Sequence, residues 1–349
     1  MLLGLNQHQA RETHIFHGPG HAADVAWVGW MDQDDADVVF SHGSCLPPRI
    51  ETPRECNKAL NSDRHPCYAS LPVRNPVRPS SGEIIMEPMA SIALRAARKA
   101  GDLIVRASDE LDRVGHQAKG AADFVTEVDL AAEKEILYHL GKAYPDHAFL
   151  AEEGGRTGNP ESNHLWVIDP LDGTSNFMRG IPHYAVSIAC LVDGRVEHGV
   201  VVDPVRREEF TASRGRGAQL NGHRLRVSSR SDLRDCLLGT GVPFLGHQQD
   251  KLPQYSQSLA ELAGQCMGIR RAGAAALDLA YVAAGRLDGF WEIGLEQWDI
   301  AAGVLLVREA GGLISDLEGA ENYLDNGQVV CGSPKIFRQV LSTVGPVLK

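Results

Sequence analysis

The run Leu165-Trp166-Val167-Ile168 ends on Asp169-Pro170-Leu171-Asp172-Gly173-Thr174-Ser175-Asn176, and no other segment constrains the fold as strongly. Four apolar residues bounded by turn formers read as a short buried strand. Two carboxylates three apart, held by a proline and a glycine, can aim their oxygens and an intervening carbonyl at one point. Oxygen donors so arranged suit hard divalent cations such as Mg2+. Taken alone, the same residues read as a strand-ending turn, because Asp, Pro and Gly are the usual turn formers.

Other acids change that balance. Glu152-Glu153 ends a second short apolar run, Phe149-Leu150-Ala151, just before Gly154-Gly155. Strands that each end on acids are the arrangement expected when strands deliver ligands to a common cleft. A third cluster, Glu292 through Asp299, precedes a helical pattern, where Asp299 alone reads as an N-cap. Asp129 follows Thr126 at capping-box spacing before Leu130-Ala131-Ala132. If Glu152, Asp169, Asp172 and Asp299 converge, each close pair repels by several kcal/mol even at an effective dielectric of about 20. Such a cluster is tolerable only when cations occupy it, and it then becomes a seat for phosphate.

The chain changes character near residue 85. Eight of the 18 prolines fall before it, and no period of 2 or 3.6 is sustained there. Residues 1–85 therefore read as an irregular, disordered extension. Gly82-Glu83 must be encoded by a purine-rich string shortly before the Met86 codon, as a bacterial ribosome-binding site would be. Residues 1–85 are accordingly expected to be either upstream sequence read as protein, with Met86 or Met89 the start, or a genuine disordered extension. The first residues do not read as a signal peptide. From Met89, apolar residues recur at three- and four-residue steps, so the domain is expected to span 86–349. Helices are expected near 130–144, 274–284 and 300–310, strands at 148–151 and 165–168, and a meander over 185–215 with Asp193-Gly194 as a turn. Mixed runs of this kind indicate a layered α/β or α+β fold.

A net charge of −11 argues against direct nucleic-acid binding by phosphate neutralisation. No apolar run is long enough to span a membrane. Seven scattered cysteines without a C-x-x-C pair fit reduced thiols in the cytoplasm. Cys45, Cys56 and Cys67, near His42 and His65, lack the paired ligands of a tight turn that structural zinc sites use. Neither a nucleophile elbow nor a P-loop is present.

The segments DFVTEVD, AEEGG, IDPLDGTSNF and GLEQWDIAAG, in that order, together with RRAGAAALDLAYVAAGRLDGFWEIGL, resemble the inositol monophosphatase family of metal-dependent sugar phosphatases, and its bacterial branch in particular. The resemblance covers about Met86 to Lys349. It implies an αβαβα layered sandwich, a homodimer, two or three Mg2+ ions and inhibition by Li+. Glu152, Asp169 and the Leu171 carbonyl would hold one ion, and Asp169, Asp172 and Asp299 a second; a third would touch Glu152. Thr174 with Glu152 would orient the attacking water, and Asp129 would support them. Backbone N–H groups of Gly173, Thr174 and Ser175 would bind phosphate. Glu292 would accept from inositol hydroxyls, Gly273-Ala274-Ala275 would line the sugar pocket, and Lys119, Asp123, Thr126 and Asp129 would belong to a closing loop. Gln297, before Trp298, has no role assigned.

The expected reaction is Mg2+-dependent hydrolysis of a small phosphorylated polyol, myo-inositol monophosphate. The alternatives are adenosine 3′,5′-bisphosphate, fructose-1,6-bisphosphate or histidinol phosphate on the same fold, or a regulatory protein docked on the transcription machinery.

Overall fold

The computed structural model describes residues 86–111, 114–120, 123–244 and 246–349, with residues 116–120 and 123–125 described by backbone alone. Described residues fall within one compact unit, Arg78–Lys349. The expectations for residues 1–85, including the extension, the start near Met86 or Met89 and the Cys45, Cys56 and Cys67 cluster, lie outside the described residues.

The chain opens with helix α1 (Pro88–Ser108), strands β1 (His116–Gly120) and β2 (Asp123–Thr126), and helix α2 (Glu127–Ala143). Next come β3 (Ala148–Ala151), β4 (Gly155–Gly158), β5 (His164–Asp172), the short α3 (Thr174–Met178), β6 (Ala185–Val192), β7 (Arg195–Asp203), β8 (Glu208–Ser213), β9 (Gly217–Leu220) and β10 (His223–Arg224). The last third holds β11 (Leu237–Thr240), α4 (Leu252–Ala263), β12 (Gly268–Arg270), α5 (Ala275–Ala283), β13 (Gly289–Glu292), α6 (Gln297–Glu309), β14 (Leu313–Ser315), α7 (Tyr323–Asn326), β15 (Val329–Gly332) and α8 (Pro334–Leu348).

Strands β3 to β10 form one eight-stranded sheet in the order β10-β9-β8-β7-β6-β5-β3-β4, and the rest of the core strands a five-stranded sheet, β12-β11-β13-β15-β14. The chain goes up and down through β5 to β10 antiparallel, as the meander text predicts, while β3 and β5 run parallel. Asp193 and Gly194 both take positive φ between β6 and β7, as a two-residue hairpin turn demands.

Apolar residues on both sides of β5 show why the layers stack. Trp166 and Ile168 pack with Ala96, Ala100 and Ile104 of α1 and Ile136 and Leu140 of α2. Val167 faces the other way, joining Ala276, Ala280, Ala301 and Leu305 of α5 and α6. Those two helices also cover Phe290 and Cys331 of the small sheet. Its far face, Leu238, Trp291 and Val330, is closed by Tyr255 of α4 and Ile336 and Val340 of α8. A strand buried on both faces reads as a continuous apolar run, and the resulting order is helix, sheet, helix, sheet, helix: the αβαβα sandwich.

The middle layer is thin because α5 and α6 are rich in alanine and glycine. A Cβ on Gly303 would stand 2.5 Å from the Leu279 Cβ, and one on Gly199 2.9 Å from the Ala302 carbonyl oxygen. Gly303→Val is expected to destabilise the fold by about 1–3 kcal/mol through overpacking, read as a fall of several degrees in Tm by thermal denaturation; an unchanged Tm would show that the α5–α6 contact is not tight.

Candidate active site

The end of β5 explains how two acids three residues apart serve one point. In a regular strand such residues face opposite sides. Here Asp169 pairs with Ser187 and Asp172 with Ala185, so three steps on β5 match two on β6. The extra residue is a bulge, which restores both acids to one side. Pro170 lies inside it, where no ladder N–H is required. The Asp169 Oδ1 accepts from the Leu171 N–H at 3.0 Å, which pins the bulge.

Glu152 reaches the same place by register. Ala151 lies opposite Ile168 in the parallel β3–β5 ladder, and the Glu152 N–H continues it to the Ile168 carbonyl at 3.1 Å. Glu152 therefore stands beside Asp169, within hydrogen-bonding reach of its carboxyl. Gly155 opens β4 and does not simply end β3.

Helix N-termini supply the rest. Gly173 caps α3 with φ +96, and a Cβ there would lie 3.0 Å from the His183 carbonyl oxygen and 3.3 Å from that of Gly273. Glycine is required at that crossing. The Thr174 hydroxyl stands 2.9 Å from the Asp129 Oδ1 and 3.0 Å from the Leu171 carbonyl oxygen. Asp129, wholly buried, is the third residue of α2 in a capping box: its Oδ2 accepts from the Thr126 N–H at 2.9 Å and from the Thr126 hydroxyl. Asp299 departs from expectation. Its helix starts three residues earlier than the periodicity suggests, so Glu296 is the N-cap and Asp299 sits in the first turn, its Oδ2 accepting the Glu296 N–H at 2.7 Å. The Asp172 Oδ2 accepts from the Ala276 N–H at 2.8 Å, tying β5 to the start of α5.

The facing wall is built from β13 and the turn before α5. Glu292 ends β13, and its carboxyl occupies the space that a side chain on Gly241 would need. Ala274 and Ala275 point their side chains into the core, so what they and Gly273 can offer a ligand is backbone. The Asn176 amide holds that turn, donating to the His183 and Ala272 carbonyls at 2.8 and 2.9 Å. Ser175 is exposed at the α3 start. The side chains of Lys119 and Asp123 lie outside the described residues.

The electrostatics follow from the crowding. Burial, then Glu152, Asp172 and Asp299, hold Asp169 well above the usual carboxylate range. Asp172 is pushed up to about 7 by burial and by Glu152, against the Ala276 and Ala275 N–H groups that draw it down. Asp299 is driven up by burial, Asp172 and Glu152. Among the described residues, no three His, Cys, Asp or Glu side chains are grouped closely enough, as they stand, to hold a metal ion. Asp169, Asp172 and Asp299 each commit one oxygen to a backbone N–H. Oxygen-only donors, several carboxylates and second-partner hydrogen bonds that orient them are the chemistry that suits Mg2+.

Three contributors escape the sequence reading: Asn176, Arg271 and Asp278. Arg271 and Asp278 flank the Gly273-Ala274-Ala275 turn in text whose alanines draw attention to packing. Only the buried placement of Asp278, 2% exposed, sets it apart.

The family profile described as the inositol monophosphatase family matches residues 85–345. The Nus factor SuhB of Pseudomonas aeruginosa is 60% identical over 265 residues, covering 75% of this chain and 98% of that protein. The crystal structure of the extragenic suppressor protein suhB of Bartonella henselae superposes with a TM-score of 0.72 at 43% identity, over 74% of this chain and 98% of that one. The structure of an inositol monophosphatase from Anabaena gives 0.65 at 34% identity, over 74% of this chain and 95% of that one.

Carboxyls raised by folding make the metal-free fold lose stability as pH climbs, since the native state binds more protons than the unfolded chain between the ordinary carboxylate pKa and about 7. Mg2+ is expected to raise Tm more at pH 8 than at pH 6, measured by differential scanning calorimetry against a chelated control. An equal shift at both values would mean that these acids do not bind the ion.

Proposed function

We propose that this chain, which belongs to the inositol monophosphatase family, hydrolyses a small phosphorylated polyol of the myo-inositol monophosphate class to the polyol and phosphate. The observation that carries the reading is the junction of the β5 bulge with the β3 register, which gathers Glu152, Asp169 and Asp172 at one strand end. Glu152, Asp169, Leu171 through its carbonyl, Asp172 and Asp299 would hold two or three Mg2+ ions. Bound there, the ions supply charge neutralisation for the phosphate and activation of water at neutral pH.

Each protein group then has a task of its own. The Thr174 hydroxyl donates toward the Asp129 Oδ1, which leaves an oxygen lone pair to accept from the water aimed at phosphorus. Asp129 is fixed by Thr126, so it offers the hydroxyl a stationary acceptor. Glu152, with Thr174, would orient the same water. Backbone N–H groups of Gly173, Thr174 and Ser175 hold phosphate oxygens, made accessible by the positive φ of Gly173. Glu292 accepts from hydroxyls of the leaving group, against a wall of Gly273, Ala274 and Ala275 backbone. Inhibition by Li+, a homodimer and a cytoplasmic location belong to the same reading.

A second role is favoured by one finding, the name Nus factor carried by the 60%-identical relative. A docking role in the transcription machinery could coexist with catalysis. The two separate in one variant: if Asp169→Asn abolishes turnover and leaves the cellular phenotype intact, the phenotype arises from docking.

Phosphate release from myo-inositol 1-phosphate, adenosine 3′,5′-bisphosphate, fructose-1,6-bisphosphate and histidinol phosphate, with and without Mg2+, tests the reading. The inositol ester is expected to be preferred, with Mg2+ required. Asp169→Asn is expected to lower kcat by at least about 100-fold, and Thr174→Ala by about 100-fold or more. A strong preference for the nucleotide defeats the inositol assignment, and Mg2+-independent turnover defeats the mechanism.

A further inference from the structure

Helix α2 carries two buried acids, Asp129 and Glu133. Four residues apart, they are neighbours on one side of the helix. Val128, Ala132, Ile136 and Leu140 seat α2 in the core with Trp166, Ile168 and Leu171 of β5. Asp129 reaches Thr174 beyond the end of β5. Glu133 reaches the turn after β3: its Oε2 accepts from the Glu153 N–H at 2.8 Å, and its Oε1 lies 2.7 Å from where a Cβ on Gly154 would be. A carboxyl withdrawn from water costs free energy unless it is hydrogen-bonded, so Glu133 holds firmly to what it binds.

What it binds is the backbone next to Glu152. Residues 152–154 join β3 to β4, the edge strand of the large sheet, and Gly155 turns the chain back with φ +66. Such loops are ordinarily the more mobile parts of a fold. Here the Glu152 N–H donates to the Ile168 carbonyl at 3.1 Å, and the next N–H, that of Glu153, donates to Glu133. These two planar peptide units flank the Glu152 Cα. Restraining both restrains its φ and ψ, and with them the direction of the Cα–Cβ bond. That direction brings the Glu152 carboxyl within hydrogen-bonding reach of Asp169. Without the Glu133 acceptor the second peptide unit is free to turn, and a misplacement of about 1 Å at a reacting centre costs about 100-fold in rate.

We infer that Glu133 is a positioning residue, which holds the peptide unit after Glu152 so that the Glu152 carboxyl stays aimed at the ion and the water it would share with Thr174. This rests on the hydrolase reading above and deepens it. One helix, through Asp129 and Glu133, supports both groups that would orient the water, although they follow different strands. Gly154 belongs to the same arrangement, because a side chain there would displace the Glu133 carboxyl.

The experiment measures Mn2+ affinity of the full chain without substrate, by electron paramagnetic resonance, beside kcat for myo-inositol 1-phosphate in Mg2+. Glu133→Ala is expected to weaken Mn2+ binding by about 10-fold and to lower kcat by about 10-fold or more, while Glu133→Gln, which keeps an acceptor for the Glu153 N–H, restores most of both. Gly154→Ala meets only the far end of a flexible side chain. It is expected to fold and to weaken Mn2+ binding in the same direction, which keeps the test alive if Glu133→Ala does not fold. In a Glu152→Gln background, Glu133→Ala is expected to change Mn2+ affinity by less than about 2-fold, since its effect passes through Glu152. Unchanged Mn2+ affinity in folded Glu133→Ala, or an equal loss with and without Glu152, marks a merely structural role and overturns the proposal. If wild type binds Mn2+ and releases no phosphate, the hydrolase reading falls while the affinities still decide the role of Glu133.

Discussion

Mutual repulsion among carboxylates is the constraint on which the rest of this molecule depends. Glu152, Asp169, Asp172 and Asp299 come from three separate stretches of chain, and beside burial Glu152 raises the proton affinity of the other three, with Asp172 adding to that of Asp169 and Asp299. Nothing local to any one of them would place it near the others. The layered core does that against the electrostatic cost: Trp166, Ile168 and Val167 bury β5 on both faces, and a strand held so firmly can carry charges at its end without yielding. Part of the repulsion is offset by geometry. Asp299 and Asp129 lie in the first turns of α6 and α2, and Asp172 takes the N–H of Ala276 at the start of α5. Each helix start contributes a partial positive charge. What these partial charges leave is suited to divalent cations.

The same economy explains the small residues around the site. Gly173 lets two chain segments cross at the start of α3, Gly241 gives up its side-chain space to Glu292, and Gly199 and Gly303 let the middle helices lie close to their neighbours. The thin α5–α6 layer is thus part of the site's construction, since it brings the second sheet, with Glu292 on β13, near the ends of β3 and β5.

Much of this was legible in the residues themselves. The apolar runs before Glu152 and Asp169 marked the strands, the Thr126-Asp129 spacing marked the capping box, and the family segments marked the layer order. Three things were not. The bulge at Pro170 depends on pairing with β6, and strand pairing is a long-range property that local text does not carry. The start of α6 lay three residues early because Glu296 and Asp299 make a reciprocal cap, whereas apolar periodicity begins only at Ile300. Asp278 was invisible because an acid in the first turn of a helix ordinarily faces water; only the packing of α5 on β11 and β13 buries it.

The most direct test is anomalous diffraction from crystals soaked in Mn2+, which substitutes for Mg2+ at oxygen sites. Peaks are expected at coordination distance from Glu152, Asp169, the Leu171 carbonyl, Asp172 and Asp299. Manganese found only elsewhere, with these five groups uncoordinated, would contradict it.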